Sequence, residues 1–315
     1  GLEAPIKKIP AWMAKTGLMT PGPPRITKAL ISSASRPTTL DSRHRPKSLI
    51  DIEGTTLISH VLRQLYRGGI QHIIFVVSHN GDAIREELQV CVQNLRQLRL
   101  EVIDLSQNYQ GFYAASLLAA GEHCFADEDK SGGVLIATAD HIYDQGLVAD
   151  MCNAELRPGW TDVCVLVDFS QQKWVGLPVT TVGVRCTDDL LRVCELSRAL
   201  GEPMVKGEAR GACVGVEAGL FACTRSIFER LSQLAKEKEY FTITDAIQEL
   251  AKAGLVSSLP TRGRNWLAIE TITELEETRS NCNAVLGASS EGSPSSFALK
   301  DPLPAIFVAG GPVIA

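Results

Sequence analysis

The chain has 315 residues, 45% of them hydrophobic and 21% charged, with a net charge of −5. That length suits one large α/β domain with tails better than two equal domains, and the mildly acidic balance excludes bulk electrostatic recognition of a polyanion, so nucleic acid is not an expected partner. No run approaches the roughly 20 apolar residues that cross a bilayer, so no membrane span is expected.

Residues 1–25 carry Pro5, Pro10, Pro21, Pro23 and Pro24 and are read as a linker or extension, because prolines that close together block regular structure. The chain begins at Gly1 and not at Met, which leaves any upstream segment outside the reading. Residues 28–31 begin a buried strand, and Ser32-Ser33-Ala34-Ser35-Arg36-Pro37-Thr38-Thr39 is the polar loop leaving its end. Small residues there let a phosphate approach backbone N–H groups, although the same composition also makes an ordinary surface loop.

After Pro46-Lys47-Ser48-Leu49, a helix is predicted with Leu57, Ile58, Val61, Leu62 and Leu65 on one face, Thr55 or Thr56 as N-cap and Gly68-Gly69 as its stop. A continuous apolar strand over 70–77 follows, then a helix over 82–92, a strand over 98–105 and a helix over 115–123. The run Val134-Leu135-Ile136-Ala137-Thr138-Ala139-Asp140-His141-Ile142-Tyr143 is the next strand, and it ends on a carboxylate. In an open α/β sheet ligands bind at the carboxyl ends of strands, so Asp140 is the predicted centre of a metal-phosphate site. Repeated βα units place the fold in the α/β class, doubly wound and mainly parallel.

From 163 the rhythm changes to strands over 163–169, 179–185, 190–194 and 212–223, which implies a smaller antiparallel sheet extending or capping the first on the acceptor side. Helices over 226–235 and 244–252 follow, then short strands over 255–259 and 265–270. Thr271-Ile272-Thr273-Glu274 has capping-box spacing and opens the last helix. Residues 285–315 are read as a low-complexity tail, with 307–312 left unplaced. Nine cysteines form no C-x-x-C pair, the pattern of reduced thiols in a cytoplasmic protein, and no zinc site is expected.

In this order the pieces resemble the nucleotidyltransferase family that joins an NTP to a sugar phosphate or phospho-alcohol, over 26–283. The loop after the first strand corresponds to L-A-A-G-x-G-x-R. Pro46-Lys47-Ser48-Leu49 with Ile52, Gly54, Leu57 and Ile58 resembles P-K-P-L…G-x-P-L-I, and Ser116-Leu117-Leu118-Ala119-Ala120 resembles S-L-L-A-A. Ala139-Asp140-His141-Ile142-Tyr143 is similar to the G-D-H-V-Y of CTP:inositol-1-phosphate cytidylyltransferases, whose plan the phosphocholine enzymes share. Glu195-Leu196-Ser197-Arg198, Glu217-Ala218-Gly219-Leu220-Phe221 and Trp266-Leu267-Ala268-Ile269-Glu270-Thr271 match further motifs.

The resemblance implies that an acceptor phosphate attacks the α-phosphorus of an NTP, with pyrophosphate leaving. Asp140 and Glu270 are then the ligands of Mg²⁺, and Lys47 neutralises the triphosphate. Ser33, Ala34, Ser35, Arg36 and Ser116 join Lys47 around the nucleotide. Arg198 and Glu217 face the acceptor, and Lys47, Asp140 and Arg198 are the catalytic set. The implied partners are a nucleoside triphosphate and a phosphorylated small molecule, and a homodimer is compatible with this reading. The family's loop glycines and arginine are replaced by Ser35, Pro37 and Thr39, with Arg36, Arg43 or Arg45 as candidate compensating charges. Phe112-Tyr113 stands at the base-reading step, and Ala268 removes one carboxylate. A homologue that binds nucleotide or sugar phosphate without turnover, as a regulatory or structural subunit, is therefore the competing expectation. Taken alone, His141 and Tyr143 read as structural side chains, Arg198 as a surface charge, and Trp266 and Phe221 as core.

Overall fold

Residues 28–33 are buried without interruption, which a strand achieves only with cover on both sheet faces. The computed structural model describes residues 25–34, 46–79, 81–106, 109, 111–125, 133–170, 182–187, 191–197, 213–286 and 306–310. The first half runs β1 (Lys28–Ser33), a short 3-10 turn at Lys47–Leu49, β2 (Asp51–Ile52), β3 (Thr55–Thr56), α1 (Leu57–Gly68), β4 (His72–Val77), α2 (Gly81–Gln93), β5 (Arg99–Asp104), α3 (Tyr113–Cys124), β6 (Val134–Thr138), β7 (His141–Tyr143) and α4 (Gln145–Cys152). The second half adds β8 (Val163–Asp168), β9 (Gly183–Cys186), β10 (Val193–Ser197), β11 (Cys213–Cys223), α5 (Ser226–Glu237), α6 (Ile243–Lys252), β12 (Val256–Pro260), β13 (Trp266–Ala268), α7 (Ile272–Leu286) and β14 (Ile306–Gly310).

The main sheet has the order β10-β9-β11-β6-β1-β4-β5-β14, with β8 joined to β11 and β12. Strands β6, β1, β4, β5 and β14 are mutually parallel. This is the expected α/β class, and the strands after 163 continue the main sheet, with β11 antiparallel to β6, β8 and β9. Two small antiparallel pairs, β7 with β13 and β2 with β3, stand apart from it. Alternate residues feed two cores. Ile31, Phe75 and Ala137 pack on the side of α1, while Leu30, Ile74 and Ile136 pack on the side of α3.

Thr56 caps α1 by accepting from the Ser59 backbone N–H, and Gly69 ends it at φ 105°. The strand predicted over 70–77 begins two residues late because Ile70 N still donates to Leu65 O at 3.0 Å, closing the helix. Strand β10 lies three residues beyond its expected start, and ahead of it Thr187 and Arg192 bond to each other at 2.9 and 3.1 Å. Helix α4 was not anticipated; Asp144 caps it through a 2.8 Å bond from Gly146 N. Ile306–Gly310, within the stretch read as a tail, pairs in parallel with β5.

Helix α1 meets α4 at Gly68, where an added Cβ would collide with Val148 Cγ1. Val148 is fully buried and β-branched, so its freedom to rotate away is restricted. Gly68→Ala is expected to lower stability by about 1–3 kcal/mol through overpacking. Val148→Ala in the same chain should recover part of the loss, as read by the denaturant midpoint. A double variant no more stable than Gly68→Ala would refute the contact.

Candidate functional site

The chain runs β1, β4, β5 in one direction across the sheet and then returns to place β6 on the other side of β1. Such a reversal opens a crevice at the carboxyl ends of the strands that flank it. The register sets Ser32 of β1 beside Thr138 of β6, so the segments leaving both strands converge there. A cavity of 380 Å³ opens at this point, and its lining includes Ser32, Ser33, Lys47, Asp140, Glu217 and Glu270.

Asp140 divides its carboxylate between two partners. Lys47 Nζ donates to Oδ2 at 2.9 Å, and His141 Nδ1 lies 2.7 Å from Oδ1. Pro46 precedes the 3-10 turn and Ser48 and Leu49 are buried in it, which leaves Lys47 to reach across the cavity. Burial opposes the Asp140 charge, yet the neighbouring His141 cation, its hydrogen bond and Lys47 hold the carboxyl well below the usual carboxylate range. Burial likewise pushes the His141 imidazole down, but Asp140, with Glu217 and Glu270 behind it, carries it above its ordinary value. The Glu217 carboxyl is pushed up by burial.

Hydroxyl groups line the β1 side. Ser33 Oγ donates to Ser48 Oγ at 3.0 Å, which ties the end of β1 to the turn carrying Lys47. Ser32 Oγ lies 2.6 Å from Ser116 Oγ at the start of α3. Ser116 is fully buried and does not line the cavity, so its hydroxyl supports Ser32 from behind and is not presented to a ligand. Ala34 is also buried off the cavity wall, with its carbonyl accepting from Ser78 Oγ at 2.9 Å. Ser35, Arg36, Thr39, Arg43, Arg45 and Arg198 lie outside the described residues.

On the far wall β11 changes its register against β8 between Glu217 and Phe221, a bulge of the kind that re-aims side chains. Gly219 takes φ +73° within it, and its N–H donates to Glu217 Oε1. Strand β13 pairs with β7, and Ile269 N donates to the Asp140 carbonyl at 3.0 Å, which brings Glu270 to the cavity. Thr271 and Glu274 then form the expected capping box at the head of α7, with bonds of 2.7 and 3.2 Å.

Trp266 was expected in the core. Although partly packed there, it lines the cavity and stacks on His141 with 4° between the planes and 5.8 Å between centroids. The aromatic wall of Phe112, Tyr240 and Phe241 was not anticipated, with ring centroids 4.7 and 4.8 Å apart. Phe112 had been noted only as a departure from a motif, and no periodicity links it to residues more than a hundred positions away. Asp168 was missed as well, although its signal was present: like Asp140, it ends an apolar strand.

Asp140, Glu217 and Glu270 offer hard oxygen donors around one cavity and influence one another electrostatically. Among the described residues no three His, Cys, Asp or Glu side chains converge tightly enough to hold a metal alone. That donor set fits Mg²⁺ bound in its usual way, through one or two carboxylates and the phosphates of a substrate.

A family model described as the MobA-like NTP transferase domain matches residues 33–250. A bifunctional IPC transferase and DIPP synthase from Rubrobacter xylanophilus is 28% identical over 250 residues, 79% of this chain and 49% of that protein. The chain thus spans about half the length of this curated relative. Among solved structures, the inositol-1-phosphate CTP transferase from T. maritima superposes with TM-score 0.62 at 11% identity, covering 84% of this chain and 98% of that one. A UDP-glucose pyrophosphorylase complexed with UDP-glucose gives 0.63 at 16% identity, covering 82% and 99%. At these identities the structures establish a shared fold. Among the described residues no helix is long and apolar enough to cross a membrane.

A Cβ on Gly219 would lie 2.9 Å from the His141 ring, whereas Gly54, at φ +78°, has nothing within 4 Å. Gly54→Ala should cost only left-handed backbone strain, about 1–2 kcal/mol. Gly219→Ala should cost about 1–3 kcal/mol beyond that through overpacking. Equal losses in parallel denaturant titrations would show that the His141 contact carries no weight.

Proposed function

Because the chain belongs to the MobA-like NTP transferase family, we propose that it joins an NTP, most directly CTP, to a phosphorylated alcohol or polyol such as inositol 1-phosphate. Pyrophosphate is the second product. The observation that carries this reading is the Lys47–Asp140 pair at 2.9 Å, set in a cavity at the carboxyl ends of β1 and β6. The Rubrobacter xylanophilus relative, an IPC transferase and DIPP synthase, and the T. maritima inositol-1-phosphate CTP transferase support the choice of CTP and inositol phosphate.

An oxygen of the acceptor phosphate attacks the α-phosphorus. A new P–O–P linkage forms as the bond from the α-phosphorus to its bridging oxygen breaks, and the electron pair leaves with pyrophosphate. No general base is needed, because a phosphate monoester is already largely ionised at neutral pH. The protein's task is in-line positioning and charge neutralisation. Lys47 meets the triphosphate, the Ser32 and Ser33 hydroxyls approach its oxygens, and Arg198 takes the acceptor phosphate. Asp140 and Glu270 would hold Mg²⁺, which when bound offsets charge on the phosphates. The Glu217 carboxyl, pushed up by burial, faces the acceptor and can accept from one of its hydroxyls. The free thiols among the described residues suit a reducing, cytoplasmic compartment.

The replacements Ser35, Pro37 and Thr39 in the phosphate loop favour a second reading, a binder without turnover. The two separate when the chain is incubated with each NTP, Mg²⁺ and a panel of phospho-alcohols and sugar phosphates, and pyrophosphate is measured. Turnover with one pair is expected. Thermal stabilisation by nucleotide with no pyrophosphate from any pair would establish the binder. Asp140→Ala is expected to lower the rate about 10²-fold or more, the scale of losing one electrostatic stabiliser, with an unchanged fold by circular dichroism. A near-parental rate would remove Asp140 from the mechanism.

A further inference from the structure

His141 is more tightly constrained than a side chain filling space needs to be. Its Nδ1 lies 2.7 Å from Asp140 Oδ1 and 2.7 Å from Thr138 Oγ1. One ring face stacks on Trp266 within 4° of parallel, and the edge bearing Nε2 abuts Gly219, where even a methyl group would come within 2.9 Å. Trp266 is itself anchored, because its Nε1–H donates to Asp168 Oδ2 at 2.8 Å. Asp168 is completely buried at the end of β8, and its other oxygen accepts from Ser170 N at 2.9 Å. Four elements, β6, β8, β11 and β13, thus fix one imidazole.

That constraint matters because of what it acts on. The terminal torsion of an aspartate is broad and nearly two-fold, so a carboxylate held by one partner can rotate. Asp140 is held at both oxygens, Oδ1 by His141 and Oδ2 by Lys47. When a nucleotide draws Lys47 toward its phosphates, the bond to Oδ2 is the one that must yield. His141 is then the group that keeps the carboxylate plane in place.

We propose that His141 is a positioning residue for Asp140, and that the buried Asp168–Trp266 hydrogen bond acts through the stacked rings to set the imidazole plane. Oδ2 thereby stays turned to the cavity for a cation. This rests on the nucleotidyl-transfer reading of the site. The chain of contacts Asp168, Trp266, His141, Asp140 spans steps of 98, 125 and 1 positions in sequence, through bonds no longer than 2.8 Å and one stacked pair. Partners of this outer kind typically change metal affinity 10–100-fold when removed.

The test uses the full chain and Mn²⁺ as the probe, with binding read from the free-ion electron paramagnetic resonance signal, with and without CTP. Thermal melting is followed alongside. His141→Leu and Trp266→Phe are expected to weaken Mn²⁺ binding about tenfold or more. His141→Asn, whose amide can donate from near the Nδ1 position, should stay close to the parent. Asp168→Asn keeps an acceptor for the indole N–H and should also stay close, while Asp168→Leu should follow Trp266→Phe.

If His141→Leu melts well below the parent, Trp266→Phe, which retains an aromatic ring, decides the matter. Parental Mn²⁺ affinity in His141→Leu, with weakened affinity in Asp140→Ala, would overturn the positioning role and leave the transferase reading standing. Equal affinity in the parent and Asp140→Ala would overturn the metal assignment and the positioning role together. Failure of His141→Asn to rescue, with melting unchanged, would show that the imidazole does not act through the Nδ1 bond.

Discussion

The site depends on the pairing of β1 with β6 in parallel register, Ser32 against Thr138. Because the two strands are neighbours in the sheet but far apart in sequence, their carboxyl ends deliver a hydroxyl-rich turn and an aspartate to one crevice. Everything else in the cavity is referred to that pair. The 3-10 turn is tied to β1 through the Ser33–Ser48 bond, which places Lys47 opposite Asp140. Strand β13 reaches the same point by pairing with β7, immediately after Asp140.

Asp140 was legible in the sequence because a strand end is a local event: an apolar run, a small-residue step, then a charge. The parallel half of the sheet was legible for the same reason, since Leu57 to Leu65 and the apolar run to Val77 carry unambiguous periods. The lock on His141 was not. Its distant partners Gly219 and Trp266 are brought to it by a bulge in β11 and a three-residue pairing of β7 with β13, and neither has a periodic signature. Ser116 shows the opposite failure. It lies where a motif expects a nucleotide ligand, yet burial turns its hydroxyl toward Ser32 and Tyr113, at 2.6 Å from Ser32 Oγ and 2.6 Å from Tyr113 O.

A second group of buried charges sharpens what marks a site. At the amino ends of the same strands Lys28 is almost wholly buried and donates to Cys124 O at 2.9 Å. Beside it Glu101 accepts from His123 at 2.6 Å and lies 3.4 Å from His72. Burial is as deep there as around Asp140, and burial lowers the His72 pKa as desolvation requires. None of these residues lines the cavity at the carboxyl ends of β1 and β6. The difference is therefore neither the presence of charge nor the depth of burial. Glu101 has its oxygens turned to neighbours within the protein, whereas Asp140 shares its oxygens with one partner that is fixed and another, Lys47, on a long flexible stem. In the proposed reaction, a carboxylate whose second partner can be drawn away by a phosphate is the one that exchanges it for a cation. That asymmetry, more than the aspartate itself, is what makes the end of β6 chemically different from the rest of the sheet.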